Sequence, residues 1–74
     1  MIIVNCALRQ DDVTKIVEEI EVENEKVFKF LKKEGLKLFF ECSLDNSEKA
    51  ASIAKQAIKD TQLGKALFFS VNAQ

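Results

Sequence analysis

Histidine, proline, tryptophan and tyrosine are all missing from this 74-residue chain. The missing histidine excludes most, because it supplies much of the acid–base chemistry near neutral pH and is the commonest metal ligand. Carboxylates, lysines, the single arginine Arg9, hydroxyls and the two thiols of Cys6 and Cys42 are what remain for chemistry. No CxxC pair exists, so thioredoxin-like redox work and thiolate metal sites lack support. No metal and no cofactor is expected, and catalysis is not the favoured reading.

A strong excess of either charge is also absent. Eleven basic and twelve acidic residues leave a net charge of −1, with a pI near 5.4. No electrostatic footprint for nucleic acid or an acidic membrane follows from that balance. No apolar run approaches the ~20 residues of a membrane span. The segment 1–8 lacks a basic leader and a small-residue cleavage site, so it reads as a first strand and not as a targeting signal. Two cysteines without disulfide-type spacing make a reducing cytoplasm the default.

What is present is an apolar fraction of 47%, enough to exclude disorder. Seventy-four residues read as a single α+β domain spanning 1–74, in a size range where self-association often supplements a small core. No linker, repeat or low-complexity tract interrupts it.

Residues 2–8 alternate as a strand, with Ile2, Val4, Cys6 and Leu8 as the stronger core face. Arg9 to Asp12 look like a helix entry, and Val13, Ile16, Val17 and Ile20 follow as one apolar stripe, giving a helix over 11–21. Residues 22–34 admit two readings. One continues the helix to a terminating Gly35, but a helix over 11–34 would run roughly 36 Å, about the width of the whole domain. The other, favoured here, makes 26–32 and 36–43 a hairpin. A two-residue turn at Glu34-Gly35 would put Lys29 and Lys33 on the face of Leu36, Leu38 and Phe40. A three-residue loop, Lys33-Glu34-Gly35, instead joins Phe28 and Phe30 to Leu38 and Phe40, with Gly35 as the bulge glycine.

Asp45-Asn46-Ser47 carries N-cap chemistry, with Glu48 as a capping-box partner for Asp45. The stripe Ala50, Ile53, Ala54, Ala57 and Ile58 predicts a helix over 47–61, Gly64 reads as its C-cap, and 66–72 forms the last strand. This βαββαβ order predicts a two-layer, ferredoxin-like sandwich: an antiparallel 4-1-3-2 sheet with both helices on one face. That is agreement of topology alone, and fold does not hand over function.

Alternation then assigns the faces. Leu8, Phe28, Phe30, Leu38, Phe40, Leu67, Phe69 and Val71 face the helices. Ile3, Asn5, Ala7, Lys37, Phe39, Glu41, Phe68 and Ser70 face away. Ile3, Phe39 and Phe68 predict an apolar patch on the open face, with Asn5, Glu41 and Ser70 as its polar spots; these six are the interface or ligand candidates. A patch of that kind is more than a small monomer usually leaves in water, so homodimerisation through the open face is the leading expectation.

The alternatives are a regulatory domain holding a small molecule at the dimer seam, and an enzyme using carboxylates or Cys42. Cys42 precedes a helix N-terminus, where a thiolate can be stabilised, whereas Cys6 reads as a small core hydrophobe. Arg9, beside Asp11 and Asp12, is the anion-binding candidate. Sheet-borne Phe39 and Phe68 resemble base-stacking platforms, but such platforms normally sit among basic residues, and with Glu41 on the same face of a mildly acidic chain a nucleic-acid partner is not expected.

Overall fold

The computed structural model describes residues 1–66 and 68–74, and its architecture follows from three segments with a two-residue period. β1 (Ile2–Cys6), β5 (Lys37–Cys42) and β4 (Phe28–Glu34) bury alternate side chains: Ile2, Val4 and Cys6, then Leu38 and Phe40, then Phe28. With β6 (Phe69–Ala73) they form an antiparallel sheet in the order β4-β5-β1-β6. β1 pairs Ile2 with Phe40 and Val4 with Leu38 on one side, and Val4 with Val71 on the other.

The helices α1 (Gln10–Glu18) and α2 (Ser47–Lys59) cover one face of this sheet. Val13 and Val17 from α1, and Ala50, Ala51, Ala54 and Ile58 from α2, complete a core centred on Phe40. Alanines along α2 allow close approach to the strands, while Phe30 meets Phe40 edge to face at 5.6 Å. The result is a two-layer α+β fold.

Two additions depart from a plain βαββαβ order. A ribbon of β2 (Glu21–Val22) and β3 (Glu25–Lys26) follows α1, and a short helix α3 (Gln62–Ala66) precedes β6. Helix α1 therefore stops at Glu18 and not at residue 21. Glu23 and Asn24 both take positive φ, 54° and 67°, the pattern of a two-residue hairpin turn of type I′. Glu21 and Glu25 on this ribbon are exposed.

Residues 28–34 are strand, so the hairpin reading holds, but its register differs from the expected one. Glu34 pairs with Lys37 around a two-residue turn at Gly35-Leu36, and Gly35 has φ 59°. That turn alone would place Phe30 on the open face. A bulge between Phe30 and Lys32 restores the parity, so Phe28 and Phe30 still face the helices. Glu18 of α1 stabilises this bulge by accepting the Phe30 N–H at 3.3 Å.

Other expectations need correction. Leu8 is 67% exposed, because β1 ends at Cys6 and Arg9 adopts a left-handed conformation with φ 57°. Asn46, not Asp45, caps α2, accepting the Lys49 N–H at 3.0 Å; with Lys49 in the third helical position, no capping box forms with Glu48. Gly64 lies buried inside α3 and is not the C-cap of α2, a place taken by Asp60. Leu67, expected in the core, lies outside the described residues.

Candidate functional site

The open sheet face presents three rows of side chains across the strands. The middle row runs Lys32, Phe39, Ile3, Asn72, each opposite the next in register. Below it lie Glu34, Lys37, Asn5 and Ser70, and above it Lys29 opposite Glu41. Ile3 and Phe39 are half-buried cross-strand partners, and the Lys32 ammonium sits 5.0 Å from the Phe39 ring centroid, a cation–π contact. Opposite charges face each other directly at Lys29/Glu41 and Glu34/Lys37, the favourable arrangement for antiparallel neighbours. A hydrogen bond from Lys32 Nζ to Glu34 Oε2 at 2.7 Å holds the Glu34 carboxyl below its ordinary range.

The structure thus brings together Ile3, Asn5, Phe39, Glu41 and Ser70, but not Phe68. β6 starts at Phe69, opposite Cys6, so Phe68 stands just outside the paired strand and is almost fully exposed. It lies four positions before Asn72, the partner of Ile3, a distance of roughly 13 Å along the strand. Phe68 instead lies with Ala7, Leu8 and Ala66 around a small apolar hollow at the end of the sheet. The expected continuous apolar patch is therefore two separate ones, because β6 starts at Phe69, three residues later than expected, and its register sets Asn72 and not Phe68 beside Ile3.

The exposed Arg9 guanidinium is engaged through one of its nitrogens. Its Nε pairs with Asp12 Oδ2 at 2.6 Å across an exposed turn, a contact of the kind worth under about 1 kcal/mol. Gln10, which the sequence pattern gave no reason to single out, does more for the local geometry. Its Nε2 donates to the Cys6 carbonyl at 2.9 Å and to the Gly35 carbonyl at 3.0 Å, tying the β4–β5 turn to the end of β1.

Both cysteines are free. Cys6 N–H donates to the Leu36 carbonyl, so Cys6 is opposite the start of β5. Cys42 stands six residues further on, roughly 20 Å along the strand, beyond disulfide reach. Burial pushes the Cys6 thiol above its ordinary value. The half-buried Cys42 thiol donates to the Leu44 carbonyl at 3.7 Å, a partner suited to S–H and not to a thiolate.

Among the described residues no polar or charged side chain is buried, and no three His, Cys, Asp or Glu side chains converge. No helix of the described residues is long and apolar enough to cross a membrane. Compared with family models, with curated proteins and with solved structures, the chain finds no match in any of the three.

Proposed function

We propose that this chain is a non-catalytic assembly module that homodimerises through the open face of its sheet. The observation that carries the reading is the Ile3–Phe39 pair, half-exposed in the middle row and ringed by Lys29, Lys32, Glu34, Lys37, Glu41, Asn5 and Ser70. An apolar centre within a polar rim is the anatomy of a reversible protein interface. In this reading the ribbon β2–β3 and helix α3 are additions to a ferredoxin-like βαββαβ plan with a 4-1-3-2 sheet, a plan that leaves one sheet face for partners. The mixed charge of the face favours a second protein surface over nucleic acid, and two free thiols favour the reducing cytoplasm.

The two longer extents of the molecule are 28 and 24 Å. They bound a face of under about 700 Å², against about 800 Å² per partner in a standard stable interface. The dimer is accordingly of the weak, concentration-dependent class. Phe39→Asp tests it by placing a charge in the desolvated centre without touching the helix-covered core. A folded variant with at least about tenfold weaker association is expected. Unchanged association sinks the interface, and an unfolded monomer means that Phe39 belongs to the core.

A further inference from the structure

The two edges of the sheet are built differently. β4 is guarded: four of its seven residues, Lys29, Lys32, Lys33 and Glu34, are charged, a bulge interrupts it, and Glu18 occupies the Phe30 N–H. β6, Phe-Ser-Val-Asn-Ala, has no charge, no bulge and no proline. Charged side chains, bulges and covering groups are the devices by which sheet edges avoid pairing. Only one edge has them.

The outward groups of β6 follow from the alternation of antiparallel pairs. Gln74 N–H donates to the Met1 carbonyl, and Cys6 N–H to Leu36 on the other side of β1. The backbones of Ser70, Asn72 and Gln74 therefore turn toward β1, leaving those of Phe69, Val71 and Ala73 directed outward. Beside this edge runs a cleft of about 410 Å³ lined by Val71, Asn72 and Ala73 on the strand and Glu48, Ala51, Ser52 and Lys55 on α2.

We propose that the β6 edge pairs antiparallel with the β6 edge of a second copy, joining two sheets into one of eight strands. A two-fold axis at Val71 uses the whole strand: Val71 meets Val71, and Phe69 meets Ala73, with six backbone hydrogen bonds between the copies. The occupant is a second copy because the cleft is self-complementary. The same axis runs beside Ala51 and Ser52 and makes the two α2 helices antiparallel. Glu48 of each copy is then set toward Lys55 of the other, the reciprocal pairing that an isologous interface requires. Ala51, small and lying against the strand, leaves room for the approach. This contact uses none of the open-face residues and stands or falls separately from that reading.

The test combines sedimentation equilibrium with amide exchange on the full chain. Protection of the Phe69, Val71 and Ala73 amides should rise with concentration, while Ser70 and Asn72, paired to β1, are protected throughout. Ala73→Pro removes an outward N–H that β1 does not use, so the variant should stay folded and associate at least about tenfold more weakly. Glu48→Lys and Lys55→Glu should each weaken association, and the double exchange E48K/K55E should restore it. Phe39→Asp should leave all of these responses in place. Free exchange at the three amides at millimolar concentration overturns the proposal, and so does a charge exchange that fails to restore pairing. A chain that stays monomeric in the Phe39→Asp background at every concentration also overturns it, leaving the cleft to an extended segment of another protein.

Discussion

Adding one methyl group at Gly64 probes the junction that delivers the chain from α2 into β6. A Cβ there would fall inside the van der Waals sphere of the Ile58 carbonyl oxygen, 2.5 Å from the Ile58 carbonyl carbon and 3.0 Å from Lys59 Cα. All three neighbours are backbone, so no rotamer relieves the overlap and α3 must withdraw from α2. Two hydrogen bonds go with it: Thr61 Oγ1 to the Ile58 carbonyl at 2.7 Å, and Gly64 N–H to Thr61 Oγ1 at 2.9 Å. Overpacking costs about 1–3 kcal/mol and each lost bond about 1, while the helix-propensity gain of alanine returns up to about 1. The net loss is about 3 kcal/mol, against a total of roughly 4–11 for a chain of this length. Gly35→Ala is the control, since open space surrounds that Cβ and only the φ of 59° resists it, at about 1–2 kcal/mol. Thermal and urea unfolding followed by circular dichroism should show Gly64→Ala melting more than 10 °C lower, at roughly 4–8 °C per kcal/mol. A Gly64→Ala variant as stable as wild type, or less affected than Gly35→Ala, refutes the reasoning.

Four further outcomes are expected. Glu18→Ala deprives the bulge amide of Phe30 of its acceptor; stability should drop by about 1 kcal/mol, with faster exchange of that amide by NMR. Gln10→Ala releases the β4–β5 turn from β1 and should cost about 1–2 kcal/mol in urea unfolding, whereas Arg9→Ala, which loses only an exposed pair, should cost under about 1. Replacing the left-handed Glu23-Asn24 by Asn-Gly should raise stability by roughly 0.5–1 kcal/mol, because those residues suit a type I′ turn; a lower melting temperature contradicts the turn geometry. The folded-state thiol of Cys6 is raised above its ordinary value of 9.0 by burial, so the folded chain holds that proton longer than the unfolded one. Stability from this group is complete below pH 9 and declines as pH climbs toward the raised value. Unfolding midpoints between pH 7 and 10.5 should fall less steeply for Cys6→Val than for wild type.

Much of the sheet was legible because a two-residue period shows which side chains share a face. Ile2, Val4, Leu38 and Phe40 announce the core, and Ile3 and Phe39 announce the opposite centre. Register was not legible. A three-residue loop ending at Gly35 and a two-residue turn with a bulge near Leu31 put the same phenylalanines inside, so the pattern cannot separate them. Gly35 has the positive φ expected of it, whereas Gly64 misled: a glycine needed for positive φ and one needed for close backbone approach are the same letter. Phe68 was misplaced because no local signal marks Phe69 as the first paired residue of β6. The expected 4-1-3-2 order already made both strands edges, and the uncharged β6 and charged β4 were visible in the sequence; what was hidden was the cleft beside β6 and Glu18 at the Phe30 N–H of β4.

Phe39 is proposed to stand at the centre of a contact between copies, and sedimentation equilibrium with and without Phe39→Asp is the sharpest test of that placement. In the Ala73→Pro background, which lacks the β6 edge contact, the mass should rise with concentration toward twice the 8.4 kDa chain, insensitive to salt, and adding Phe39→Asp should give a folded protein that stays at the mass of one chain. Equal masses for the two proteins across the concentration range would contradict it.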